Sequence, residues 1–272
     1  MTQRMNLKKY FPSFLKKNKI YFRLMKRGYY KNTSKKSGIH PEYKDVFASI
    51  VKDGVAIVPN FVSDSIIKRI ISETQNAINA VVNDKYTETK YHRHCDYGIY
   101  QILECDKISP SSNIFFDNDM INEIATAYVS RDVISYQKMV ESRPDKGKQS
   151  NSDVFHFDDW RHRFKAFLYL TDVDEANAPF VYLKRSHTPG RWRERKEYEY
   201  YRNGRTGSYG HFFIQEVNYL KSKYGFESVT CTGKRGTLIL ADTRGLHKGT
   251  PLMSDKRLLL ANFFDQRETI QN

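Results

Sequence analysis

Nowhere do about eighteen apolar residues follow one another without a charge, so the sequence holds no segment able to cross a bilayer as a single helix. Cysteine is scarce. Cys95, Cys105 and Cys231 are an odd number and lack the paired spacing of a zinc site. That speaks against a disulfide-stapled secreted domain. The basic N-terminus is not followed by the apolar stretch of about 7–15 residues that a signal peptide needs. A reducing, cytoplasmic location is therefore the expectation. No internal repeat is present. Acidic residues are missing from residues 1–36, which carry twelve Lys or Arg.

That last absence reassigns the net charge of +14. Without those twelve, 33 basic residues face 31 acidic ones, and the rest of the chain carries only +2. The basicity belongs to an arm and not to a folded body. Within the arm, Tyr10, Phe11, Phe14, Leu15, Ile20, Tyr21, Phe22, Leu24 and Met25 alternate with the basic residues. Such a segment either packs its aromatics on the domain and leaves its lysines in water, or lies on an anionic membrane surface. A nucleic-acid partner is the weakest reading, because the body is nearly neutral. Residues 31–41, rich in Lys and Ser and ending in Gly38 and Pro41, read as a linker. The expected organisation is an arm and linker over 1–41 and one domain over 42–272.

With 39% hydrophobic residues the domain has material for a sizeable core. Residues 42–52 read as a helix, 54–59 as a short strand, and 63–82 as a second helix whose Ile66, Ile67, Ile70 and Ile71 form a buried stripe. The runs 97–103, 133–140, 164–171, 236–241 and 257–264 suit strands. Helices early and strands late give an α+β class with a mainly β core.

The chemistry concentrates in His156-Phe157-Asp158. At a strand end the period of two puts His156 and Asp158 on one face. His247 lies 89 residues past Asp158, directly after the apolar run 236–241 and a short turn. Two histidines and one carboxylate make a facial triad that leaves three positions of an octahedral iron(II) open. Ten residues past His247, Arg257 opens an otherwise apolar strand, a costly place for a charge unless it meets a carboxylate. The distal carboxylate of 2-oxoglutarate fits that guanidinium. Lys165, a charge inside an apolar run, is a second candidate for the cosubstrate, or else a snorkelling edge residue.

These motifs resemble the phytanoyl-CoA dioxygenase family of Fe(II)/2-oxoglutarate oxygenases. The resemblance runs from Asp53 through Phe61, then His156-Phe157-Asp158, Lys165 through Asp174, Asn177 through Phe180, and Ser186-His187. It closes on Gly236-Thr237, His247 and Arg257, so it spans about residues 42–265. It implies a double-stranded β-helix, a jelly-roll with N-terminal helices on one sheet and the metal between the sheets. It also implies iron held by His156, Asp158 and His247, with 2-oxoglutarate on Arg257. The implied reaction consumes O2 and yields succinate and CO2. Asp158, where halogenating relatives have a small residue, implies hydroxylation. Many members carry a hydroxyl two residues after the distal histidine. Here that position is Gly249, and Thr250 is the substitute candidate.

Several other residues compete with these. His92, His94, Cys95 and Asp96 read as a polar strand near the site mouth more readily than as a second metal site. His162 is a loop residue that competes as a ligand, and His187 reads as structural. Residues 184–211, with Arg191, Arg193, Arg195, Arg202 and Arg205, read as a long loop over the site. That loop either faces an anionic or carrier-linked substrate or is simply solvated. The competing functions are a nucleic-acid or protein oxygenase of the same triad type, a non-catalytic jelly-roll binding protein, and a cupin-type metal enzyme without 2-oxoglutarate. Nucleic-acid demethylases of this class expect a second arginine six residues after the first, where this chain has Phe263. The substrate-binding residues and the oligomeric state have no sequence signature here.

Overall fold

The structure, a computed structural model, describes residues 18–33, 38–82, 92–95, 99–130, 132–144, 146–147, 153–203 and 210–266. Helix α1 (Lys19–Thr33) and a 3-10 turn at Pro41–Tyr43 precede α2 (Lys44–Asp53), β1 (Val55–Val58) and α3 (Asp64–Val82). Next come β2 (His92–Cys95), β3 (Ile99–Leu103), the short α4 (Cys105–Ile108) and α5 (Asn113–Phe116), and α6 (Asp119–Tyr128). The second half holds β4 (Val133–Arg143), β5 (Phe164–Tyr169), β6 (Phe180–Leu183), α7 (Arg191–Arg202) and α8 (Ile214–Tyr224). It ends with β7 (Ser228–Cys231), β8 (Leu238–Asp242), β9 (His247–Lys248) and β10 (Arg257–Gln266).

The strands form an antiparallel seven-stranded sheet, ordered β1-β8-β5-β10-β4-β3-β2, and a three-stranded sheet, ordered β7-β6-β9. Alternation along the large sheet sorts its side chains into two cores. Phe164, Ala166 and Leu168 of β5, with Leu258, Leu260 and Phe264 of β10, pack under the helices with Ile67 and Ile70 of α3. Tyr169 and Leu259, with Phe167 and Phe263 beside them, face the small sheet. This is the double-stranded β-helix with helices on one sheet that the sequence implies. Period two also puts Lys165 and Arg257 on the inner face, because they alternate with the helix-facing residues.

Residues 19–33 form a helix that packs on the domain. Phe22 is fully buried, with its ring 5.7 Å from Trp160 and 4.9 Å from Tyr201 of α7. Arg23 pairs with Glu194 and Lys26 with Glu197, both on α7. These residues pack on the domain through Phe22, Arg23 and Lys26, while Ile20 and Leu24 face solvent. Residues 1–17 lie outside the described residues.

Segment 184–211 differs from the expected loop, because it contains α7. The inward side of α7 is charged. Arg193 and Glu197, one turn apart, are fully buried and ion-paired. A polar stripe carries no hydrophobic periodicity, so this helix is invisible to pattern reading. Residues 204–209, and with them Arg205, lie outside the described residues, as do the side chains of His92, His94, Cys95 and Asp96.

Candidate metal centre

The His156 segment lies between β4 and β5 and docks on the edge of the small sheet. His156 and His247 exchange both backbone hydrogen bonds, each at 2.9 Å, as an antiparallel pair. On its other side the segment pairs with the chain at His211, where Phe212 N–H donates to Phe155 carbonyl at 2.7 Å. Asp158 N–H donates to Thr243 carbonyl at 2.9 Å, which fixes the end of the motif against β8. Gly245 allows the close approach on the far side. A Cβ there would fall 1.9 Å from Tyr182 Oη, and that hydroxyl donates to Asp242 carbonyl at 2.8 Å.

These backbone constraints bring three ligand-type side chains together. One ligand atom each from His156, Asp158 and His247 lies within 4.8 Å of the others, and this is the only such group among the described residues. Asp158 Oδ1 is 3.8 Å from His156 Nε2 and 3.6 Å from His247 Nε2. The other ring nitrogens are taken, with His156 Nδ1 on Val154 carbonyl at 2.8 Å and His247 Nδ1 on Gly245 carbonyl at 2.9 Å. A histidine whose Nδ1–H is held by a carbonyl presents Nε2 as a lone-pair donor. Burial pushes the His156 imidazole down to about 3, so it is neutral at physiological pH. Burial alone would raise the Asp158 carboxyl, but the Lys165 ammonium and then His247 outweigh it and hold it well below the usual range.

Lys165 projects from β5 to Asp158, with Nζ 2.7 Å from Oδ2 and 4.2 Å from the centre of the Phe263 ring. Since β5 lies between β8 and β10, the snorkelling-edge reading fails. Arg257 is buried and paired with Glu141 of β4, and it also donates to Ala178 carbonyl. Its Nε is buried without a hydrogen-bond partner. The Thr250 hydroxyl donates to Pro179 carbonyl at 3.0 Å.

Sequence reading missed four residues that shape the site. Arg143 of β4 donates to Thr250 carbonyl at 2.7 Å and pairs with Asp153 at 3.0 Å. Glu141 meets Arg257 across two neighbouring strands, although 116 residues separate them. The Tyr200 hydroxyl of α7 donates to Asp158 carbonyl at 2.7 Å. His211, whose ring centre is 5.8 Å from that of His156, has its pKa lowered by burial and then by Lys196. Of these only the inner-face position of Glu141 had a local signal, the strand run it continues.

His162 does not join the triad. It sits among Tyr29, Tyr30 and Tyr128, with ring centres 5.4–5.8 Å away. Ser186 and His187 are structural. The Ser186 hydroxyl accepts from Leu246 N–H at 2.7 Å, and His187 Nε2 meets Val51 carbonyl at 3.1 Å.

The sequence profile described as phytanoyl-CoA dioxygenase matches residues 50–258. A sequence search of curated proteins finds no match. Among solved structures, EctD from S. alaskensis with 2-oxoglutarate and 5-hydroxyectoine superposes with a TM-score of 0.63 at 16% identity, covering 87% of this chain and 81% of that one. The epimerase SnoN from nogalamycin biosynthesis, in complex with Fe3+, alpha-ketoglutarate and nogalamycin RO, gives 0.58 at 14% identity over 83% and 84%. The carbocyclase SnoK from the same biosynthesis gives 0.54 at 13% identity over 84% and 87%. At these identities the likeness concerns the fold.

Proposed function

Because this chain belongs to the phytanoyl-CoA dioxygenase family, we propose that it is an Fe(II)- and 2-oxoglutarate-dependent dioxygenase that hydroxylates a small molecule, with succinate and CO2 as coproducts. One observation carries the reading. Two imidazole Nε2 atoms and one carboxylate oxygen converge on a single point, with both Nδ1 atoms already held by backbone carbonyls. That donor set fits iron(II), and it fills one face of an octahedron. Bound iron supplies the activation of dioxygen, coupled to oxidative decarboxylation of the keto acid.

The chain's own residues do the positioning. His156, Asp158 and His247 hold the metal. Arg257 anchors the distal carboxylate of 2-oxoglutarate. Its buried, unpartnered Nε is a donor in waiting, and the incoming carboxylate shares the guanidinium with Glu141. Thr250 serves that end of the site through its backbone carbonyl, which holds Arg143 beside Arg257. Phe180, with its ring centre 5.4 Å from that of His247, and Phe167 give the interior an apolar wall that excludes water.

Of the arginines expected to meet an anionic substrate, Arg193 is withdrawn by its buried pair with Glu197. Arg191, Arg195 and Arg202 are exposed on α7. Two of the structural relatives carry the names epimerase and carbocyclase, while EctD was crystallised with a hydroxylated compound. Hydroxylation is favoured here over halogenation because Asp158 fills the carboxylate position of the triad.

The test is anaerobic addition of Fe(II) and 2-oxoglutarate to the wild type, His156→Ala, Asp158→Ala and Arg257→Ala, following the weak visible band of an iron-chelated keto acid. The wild type should show the band, and the two triad variants should lose it. Arg257→Ala should need at least tenfold more 2-oxoglutarate, since a buried charge-assisted pair contributes more than about 1.4 kcal/mol. A wild type that binds iron but never 2-oxoglutarate refutes the cosubstrate assignment.

A further inference from the structure

The two oxygens of Asp158 have different surroundings. Oδ1 faces both imidazole Nε2 atoms, at 3.8 and 3.6 Å. Oδ2 points the other way, to the Lys165 ammonium at 2.7 Å. The ammonium approaches off the hydrogen-bonding direction, so this tie is electrostatic. Its position is set from outside the site. Lys165 lies on β5, opposite Phe263 of β10 and Ala241 of β8, and its side chain is only 17% exposed. The Phe263 ring, 4.2 Å from Nζ, gives the charge a second favourable neighbour.

We propose that Lys165 sets the coordination mode of the metal centre by occupying Asp158 Oδ2, so that the carboxylate offers the metal Oδ1 alone. The inference rests on the metal-binding role proposed above. Its physical basis is a count of positions. An octahedral metal has six, and two imidazoles with one carboxylate oxygen use three. A keto acid that chelates through two atoms and a dioxygen molecule need the remaining three. A carboxylate free to bind through both oxygens, as carboxylates can, would take one of those places. Lys165 is therefore a positioning residue that keeps a coordination site open, and the cosubstrate does not have to displace a protein ligand. The placement of Lys165 on the metal's carboxylate also separates it from Arg257, which remains the cosubstrate anchor.

The test uses the full-length protein with Co(II) alone, then with 2-oxoglutarate, in the wild type, Lys165→Met, Lys165→Gln and Lys165→Arg. Met and Gln both remove the charge at similar size, so one folded variant of the two is sufficient, and circular dichroism shows which. The Co(II) visible spectrum reports coordination number and geometry without any turnover. The charge-free variant should bind Co(II) with a spectrum changed towards higher coordination. Its affinity for 2-oxoglutarate should fall by about tenfold or more, the usual size of losing an outer partner of a metal ligand. Lys165→Arg should return both readouts towards the wild type. An unchanged Co(II) spectrum in the charge-free variant overturns the proposal. If 2-oxoglutarate affinity falls while the spectrum stays the same, Lys165 contacts a cosubstrate carboxylate instead. If the wild type binds no Co(II) or Fe(II), the metal-binding reading fails and this inference goes with it. A change towards higher coordination in the charge-free variant that Lys165→Arg reverses supports the inference whatever reaction the enzyme performs.

Discussion

His162 shows how a residue of the right type is kept out of a metal site. Its backbone N–H donates to the Tyr29 hydroxyl at 3.1 Å, and its ring lies in a tyrosine cage with Nδ1 buried and unpartnered. Burial, and then the nearby Arg244 guanidinium, push its pKa down to about 3, while Asp242 pulls weakly the other way. An unfolded histidine titrates near 6.5. The folded value is depressed, so the fold favours the neutral ring. Its contribution is complete above about pH 6.5 and is lost as pH falls from there towards 3. The slope is at most about 1.4 kcal/mol per pH unit for one proton. His162→Phe keeps the ring in the cage and removes both the titration and the orphaned nitrogen. Its melting temperature at pH 7.5 should equal or exceed that of the wild type. The drop in melting temperature between pH 7 and pH 5 should be smaller than in the wild type by a few degrees. Parallel pH profiles for the two proteins would show that His162 does not titrate with unfolding.

Between elements, the triad depends on two chain segments staying side by side, and Arg143 ties them together. Asp153 lies three residues before His156 and Thr250 three residues after His247, on the two segments that pair at His156 and His247. Arg143, fully buried at the end of β4, binds both of them. Arg143→Met removes that clamp and one partner of a carboxylate that is itself only 7% exposed. Breaking such a buried pair costs about 3–5 kcal/mol. Denaturant unfolding should register that loss, and Arg143→Met combined with Asp153→Leu should recover part of it. A double variant as unstable as the single one would rule out a charge effect. The same residues show what a sequence can reveal. Strands β5 and β10 were legible because they are apolar runs, and His156 with Asp158 because period two places them on one face. Arg257 was legible because a charge heading an apolar strand needs a reason. The partners of these residues were not legible. Glu141 reaches Arg257, Lys165 reaches Asp158, and Arg143 reaches Thr250 only through tertiary contacts, which no local pattern encodes. Helix α7 was hidden for a related reason, since its buried stripe is an ion pair.

At the scale of the whole molecule, the arm helix is part of the scaffold behind the metal site. Phe22 fills a gap between Trp160, two residues past Asp158, and the tyrosines of α7. The Tyr30 hydroxyl donates to Trp160 carbonyl at 2.5 Å and accepts from Arg244 at 3.0 Å. Lys26 meets Glu197, the buried partner of Arg193. Tyr200, on the same helix as Glu197, holds Asp158 carbonyl. The path from α1 through α7 to the metal-binding loop is therefore continuous. Phe22→Ala separates this role from that of a basic tether, because it keeps every charge of the arm. Truncating a fully buried Phe costs about 3–5 kcal/mol. In a chain of this size that corresponds to a fall in melting temperature of about 6 °C or more. Loosening α7 should also weaken Fe(II) binding, since outer partners of a ligand matter by about tenfold. A tether that only brings the protein to an anionic surface predicts the opposite pattern. Phe22→Ala would then leave both stability and iron affinity untouched, and only vesicle binding, sensitive to salt and to loss of the lysines, would respond to changes in the arm.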